Sequence, residues 1–155
     1  MAAFRFRLEP YRRMVNHDKE RAQIEFSLKM AKVREAREIL DSIRQEFYKA
    51  TRELETRLEE GMGTVEYRIW AERIDFLRGE QNRLEAVLRE RELEAEQAKH
   101  KLLEAYVQER LVERLRERAI AEHQKLEARK LQEELDDMCA SRKGLTWGLE
   151  GEGTS

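Results

Sequence analysis

Residues 58–65 read Leu58-Glu59-Glu60-Gly61-Met62-Gly63-Thr64-Val65, and the glycine pair within them decides how this chain folds. Gly61 and Gly63 are the only closely spaced glycines in the first 140 residues. Gly61 can take the left-handed conformation that closes a helix, and Thr64 can begin the next one. One turn here, with long uninterrupted stretches on either side, predicts a chain that doubles back on itself.

Upstream of the turn, steps of four and three pick out Ala22, Phe26, Lys29, Val33, Ala36, Leu40, Ile43, Phe47, Ala50, Leu54 and Arg57, nine of the eleven apolar. Downstream, the same steps give Trp70, Ile74, Leu77, Gln81, Leu84, Leu88, Arg91, Ala95, Ala98, Leu102 and Ala105, again nine of eleven. This spacing is that of a coiled-coil seam. The two seams mirror each other about Met62: Leu54 falls opposite Trp70, Ala50 opposite Ile74, Phe47 opposite Leu77 and Leu40 opposite Leu84. The layers Ala50 with Ile74, Ala36 with Leu88 and Phe26 with Ala98 each set a small side chain against a large one, as interdigitated packing favours.

Composition agrees. Ala, Glu, Lys, Leu and Arg supply 92 of the 155 residues, beyond the share of about one half that marks long helices. One proline and seven glycines leave too little turn material for a β-sandwich or alternating strands and helices. Pro10 suits the first turn of a helix beginning near Glu9. The expected fold is therefore all-α: a long two-helix antiparallel coiled-coil hairpin, on the order of 100 Å from end to end at 1.5 Å per residue. Its arms would span 9–60 and 65–142 around a turn at 61–64. Because the first arm runs out, 124–142 would overhang alone with an apolar stripe through Leu126, Leu131, Leu135 and Met138. Residues 144–155, GLTWGLEGEGTS, would form a flexible tail with Trp147 as its one large anchor.

The charges exclude several function classes. The net charge of −2 is not that of a global polycation. The basic residues Arg110, Arg114, Arg116 and Arg118 with Lys125, Arg129 and Lys130 could contact phosphates, but the interleaved Glu109, Glu113, Glu117, Glu122 and Glu127 nearly cancel them, several at spacings that support an exposed helix. Within the total, residues 1–37 carry +5, 38–98 carry −6 and 99–143 carry +1, a polarity suited to two different partners. A single Cys139 forms no intrachain disulfide. The start MAAFRFRLEP has no apolar run suited to a signal peptide, so the chain reads as intracellular. No stretch is apolar enough to span a membrane.

Chemistry is equally constrained. The residues three before His17, His100 and His123 are Met14, Gln97 and Ile120, so the Glu-x-x-His pattern of di-iron bundles is missing. Gly61-Met62-Gly63 lacks the lysine and the strand of a phosphate-binding loop, and the pairs Glu59/Glu60 and Asp136/Asp137 read as solvated faces. No catalytic, metal or cofactor residue is assigned. The aromatic residues around the turn are a separate matter: Phe47 and Trp70 sit on the seam, whereas Tyr48, Tyr67 and Phe76 lie off it as candidate docking anchors.

The opening Phe4-x-Phe6-x-Leu8, the glycine turn followed by Tyr67, Trp70 and Leu77, and the distal Glu109-Arg110, Glu117-Arg118 and Gln132-Glu133-Glu134-Leu135-Asp136-Asp137 together resemble the flagellar export protein FliJ family over residues 3–142. That family is similar to the YscO-type stalks of injectisomes. The resemblance implies a non-enzymatic central stalk and general chaperone of type III export, cytoplasmic and peripheral to the inner membrane at the flagellar base. The partners it implies are a hexameric, FliI-like export ATPase, the export-gate protein FlhA and export chaperones. By position, Phe4, Phe6, Leu8, Arg12, Arg13, Leu111, Arg114, Leu115, Arg118 and Leu135 would meet the ring, and Tyr48, Tyr67, Trp70 and Phe76 the gate. The hairpin itself is expected to be monomeric. Its rivals are an injectisome stalk, a generic oligomeric coiled-coil spacer, and a rod that binds nucleic acid or a membrane surface. The acidic, glycine-rich tail departs from the family pattern.

Overall fold

The computed structural model describes the backbone of residues 3–152 and the side chains of 3–145. Two helices account for nearly all of it, α1 (Glu9–Glu60) and α2 (Thr64–Glu152), packed against each other with no strand among the described residues. Pro10 falls in the first turn of α1, where the N–H it lacks has no intrahelical acceptor, and the Arg12 N–H donates to the Leu8 carbonyl at 2.9 Å as the helix begins.

Gly61 has φ of 95°, and its N–H donates to the Leu58 carbonyl at 3.3 Å, so it closes α1 in the left-handed cap position. The Tyr67 N–H donates to the Gly63 carbonyl at 3.0 Å, which makes Gly63 the residue before α2. Thr64 is thus the first residue of α2 rather than the last of the turn. At its far end α2 runs to Glu152, ten residues past the expected end of the arm at 142. Glycine in a helix interior costs about 1 kcal/mol but does not forbid it, and Gly144 takes its place in the helix. The side chain of Trp147 lies outside the described residues.

The chain forms two units, Asn16–Val107 and a second made of Met1–Val15 with Gln108–Ser155. The first unit holds most of the core. Val33, Ala36, Leu40 and Ala50 of α1 and Ile74, Leu77, Leu84, Ala95 and Ala98 of α2 are buried, every one at a seam position. Ala50, Ile74 and Leu77 form one cluster with Phe47, Leu54 and Trp70 packed on it, which brings together the three expected layers nearest the turn. Burial at about 25 cal/mol per Å² of apolar surface drives this association. Ion pairs flank the seam: Arg37 with Glu92 at 3.1 Å, Arg44 with Glu85 at 3.2 Å and Arg57 with Glu66 at 2.7 Å. Exposed pairs of this kind contribute little to stability, but they favour one register over its neighbours.

In the second unit the N-terminal chain lies along α2. Val15 and Val112 are buried, Phe4 and Phe6 are half-buried, and the Phe4 ring sits 5.5 Å from that of His123. From Gln124 to Leu145 every residue of α2 is exposed except the half-buried Glu127, so the expected uncovered stretch is present.

Candidate functional site

Two surfaces collect the sequence-predicted functional residues, one in each unit. All ten residues assigned to a ring contact belong to the unit made of Met1–Val15 and Gln108–Ser155, and all four assigned to a gate contact belong to Asn16–Val107. Sequence positions far apart are gathered in the first case because the helices are antiparallel: Arg12 and Glu113, a hundred residues apart in the chain, touch.

The first surface is part apolar and part ionic. Leu8, Leu111, Leu115 and Leu135 are each about half exposed, as large apolar groups without a cover. Arg13, Arg114 and Arg118 are exposed. Arg12 is engaged within the fold. Its Nε donates to Glu113 Oε1 at 2.6 Å and its Nη1 to Glu9 Oε1 at 3.1 Å, and these bonds, the Glu113 one foremost, push its pKa up. Arg12 therefore positions the N-terminal segment on α2 and presents little free charge. Phe4 and Phe6, with Arg5, Glu9 and Arg116, line a shallow groove.

The second surface surrounds the turn. Tyr48 and Phe76 are 59% and 66% exposed, values that leave most of each ring to solvent. Tyr67 is also exposed, at 46%. Trp70 is half-buried in the seam cluster, with the Arg57 guanidinium 5.3 Å above its ring, and Arg52 lies 5.2 Å over Tyr48. Such cation–π contacts fix ring orientation at a modest gain of about 0.5–1 kcal/mol. Val65 and Ile69, at 77% and 62% exposed, were not among the candidates. They share a helix face with Phe76, since spacings of seven and eleven residues return to the same side; the signal was there in the sequence, but it lies off the seam.

Among the described residues no three metal-ligating side chains gather, Cys139 is an exposed free thiol, and no helix is long and apolar enough to cross a membrane. The ionic groups with displaced pKa values are paired either within α2 or across the two helices. Arg83 holds Glu80 below the usual carboxylate range through a hydrogen bond, and Arg44, then Gln81, do so for Glu85.

The described residues form an all-α helical hairpin with uncovered apolar side chains on each unit. The family model of the flagellar FliJ protein matches residues 4–144, and the chain belongs to that family. It is a component of flagellar export. No curated protein and no solved structure matches the chain significantly.

Proposed function

We propose that this protein is the central stalk of the flagellar type III export ATPase, acting also as a general chaperone of export. It binds the hexameric ATPase through the unit formed by the N-terminal segment and the distal part of α2, promotes ring assembly and turnover, and meets the export gate through the aromatic residues near the turn. The observation that carries this reading is the separation of the two candidate surfaces into two units, each with its own uncovered apolar side chains. Family membership sets the export context. The charge difference between residues 38–98 and the remainder supports two chemically different partners.

The mechanism is differential binding. A single asymmetric hairpin inside a six-fold ring contacts the subunit interfaces unequally, so it stabilises one state of one interface over the others and shifts both assembly and ATP turnover. The side chains best suited to that contact are Leu111 and Leu115 with Arg114 and Arg118, which are exposed and unneeded by the packing of the hairpin. At the gate side, Tyr48 and Phe76 supply large rigid contact areas of the kind that dominate interfaces. The working site is the cytoplasmic face of the inner membrane at the flagellar base, with the gate protein FlhA and export chaperones as further partners.

ATPase turnover of the cognate ring, measured with and without this chain, tests the reading. Stimulation together with co-sedimentation of the chain with the hexamer is expected; a ring whose turnover and assembly are both unaffected would overturn it.

A further inference from the structure

We propose that one flank of the unit made of Met1–Val15 and Gln108–Ser155 docks an acidic amphipathic helix of the export ATPase, seated on Tyr11, Met14, Leu111 and Leu115 and held by Arg114 and Arg118. This rests on the stalk reading and deepens it: Tyr11 and Met14 join the contact, and the ring segment that meets them has a stated chemistry.

Two buried valines set the directions. Val15 of α1 and Val112 of α2 point into the packing at 5% and 2% exposed, and each residue along a helix turns by about 100°. Tyr11 and Met14 therefore leave Val15 on one side, and Glu9 and Arg12 leave it on the other. On α2, Gln108, Leu111, Leu115 and Arg118 fall to one side of Val112, and Glu109, Glu113 and Glu117 to the other. Two contacts show which sides meet. The Tyr11 hydroxyl donates to Gln108 Oε1 at 3.4 Å, and Arg12 Nε donates to Glu113 Oε1 at 2.6 Å. One flank thus gathers Tyr11, Met14, Leu111, Leu115 and Arg118, with Arg114 at its outer edge. The opposite flank gathers Arg12 and the carboxylates.

This sorting undoes the balance of charge along the sequence. Glu109, Glu113 and Glu117 are the carboxylates between Gln108 and Arg118, and all three lie on the flank of Arg12, which already holds Glu113. Arg114 and Arg118 are exposed, and among the described residues neither forms an ion pair or a hydrogen bond. No acidic residue lies between Pro10 and Val15. On the apolar flank the next carboxylate along α2 is Glu122, one turn beyond Arg118.

Shape and charge together select the occupant. Tyr11 and Met14 are 41% and 52% exposed, opposite the half-exposed Leu111 and Leu115, so four large apolar side chains border the groove between the helices. An i, i+3 pair on one wall and an i, i+4 pair on the other form the footprint of a helix laid between two helices. A bilayer would meet the outer crests rather than the groove, and a phosphate backbone would gain nothing from its apolar walls. Arg114 and Arg118 stand one turn apart, about 6 Å along the axis, and match carboxylates four residues apart on the incoming helix. Unpaired cations beside an apolar groove attract an acidic helix and repel a basic one.

Co-sedimentation of the full chain with the cognate ATPase hexamer tests this. Arg114→Glu with Arg118→Glu should weaken binding by about tenfold or more, and wild-type affinity should fall as NaCl rises from about 50 mM to about 500 mM. Arg114→Lys with Arg118→Lys should retain most of the binding. Met14→Glu should weaken it about as much as the arginine reversals, whereas Glu117→Gln on the opposite flank should leave it unchanged. All four positions are exposed, so helicity should be retained in every variant, as circular dichroism checks. A photo-crosslinking residue in place of Met14 should capture a ring segment rich in acidic residues, and one in place of Glu117 should not. A ring that binds with no loss from the arginine reversals, or a captured segment without excess acidic residues, overturns the proposal and leaves the stalk reading standing. A ring that fails to bind the wild-type chain at every salt concentration overturns both. Phosphatidylglycerol vesicles and a single-stranded DNA oligonucleotide are run in parallel. Binding to either that the arginine reversals abolish, with ring binding intact, assigns the flank to a phosphate-bearing surface and overturns the proposal as well.

Discussion

Lys29 of α1 and Glu94 of α2 meet across the hairpin, with Nζ 3.3 Å from Oε2, and Arg91 reaches the same oxygen at 3.6 Å. Lys29 and Arg91 both occupy seam positions that would otherwise be apolar, so the hairpin tolerates two cations in its seam by turning them onto one carboxylate at its edge. The hydrogen bond from Lys29, then its charge, holds Glu94 below the usual carboxylate range. A carboxylate depressed in the folded state stabilises above its unfolded pKa and loses that contribution as pH falls through the folded value. Between about pH 5 and pH 3, spanning that interval for a carboxylate, the melting temperature should fall. Glu94→Gln should flatten this part of the profile, and so should Lys29→Met. Thermal circular dichroism across that range measures it; a wild-type slope retained by both variants would show that the pair contributes nothing.

The seam itself is tested by two adjacent residues. Phe47 is packed on the cluster of Ala50, Ile74 and Leu77, whereas Tyr48 faces solvent. Phe47→Asp places an unpaired carboxylate against that cluster and should cost about 3 kcal/mol or more. Tyr48→Asp should leave the thermal transition within about 0.5 kcal/mol of wild type, as surface changes do. Equal effects from the two would mean that the helix faces are assigned wrongly.

Two glycines should respond to alanine in opposite directions. Gly61 has φ of 95°, and open space around the position of an added Cβ does not relieve the backbone, so Gly61→Ala should destabilise by about 1 kcal/mol. Gly79 lies inside α2 with an ordinary helical φ and nothing within 4 Å of an added Cβ. Gly79→Ala should therefore stabilise by up to about 1 kcal/mol through helix propensity, or roughly 2–4 °C in melting temperature for a chain of this size. Chemical denaturation of both variants decides between these signs and the reverse.

The hairpin was legible because its information is local and redundant. Ten of the eleven expected seam residues of α1 and all eleven of α2 are buried or half-buried, and one glycine pair fixes the only reversal among the described residues. The uncovered segment was legible by subtraction, since α2 outlasts α1. What the sequence hid is of two kinds. Partnerships such as Arg12 with Glu113 join residues about a hundred positions apart through long flexible side chains, and periodicity says nothing about which of several carboxylates an arginine reaches. The end of α2 was hidden because glycine was weighed as a breaker at Gly144, whereas its helix penalty is small enough for neighbouring residues to outvote. Val65 and Ile69 show a third effect: apolar residues outside a strong seam are easily absorbed into it when the seam alone is counted.

The two proposed surfaces can be separated by substitutions that leave the hairpin intact. Leu111 and Leu115 are exposed at 50% and 45% on α2, one helical turn apart, while the neighbouring Val112 carries the packing at 2% exposed. Leu111→Asp with Leu115→Asp should therefore lower stimulation of the ATPase ring by at least tenfold, with helicity and binding to the gate protein retained. Tyr48→Ala with Phe76→Ala should do the reverse, weakening gate binding by about tenfold or more, the scale of two aromatic anchors, with ring stimulation unchanged. The pair of measurements is ATP turnover and equilibrium binding to the isolated gate domain, each made on both variants. If either variant damages both activities with its thermal transition unmoved, the two units do not carry separate functions, and the assignment of one surface to each partner fails.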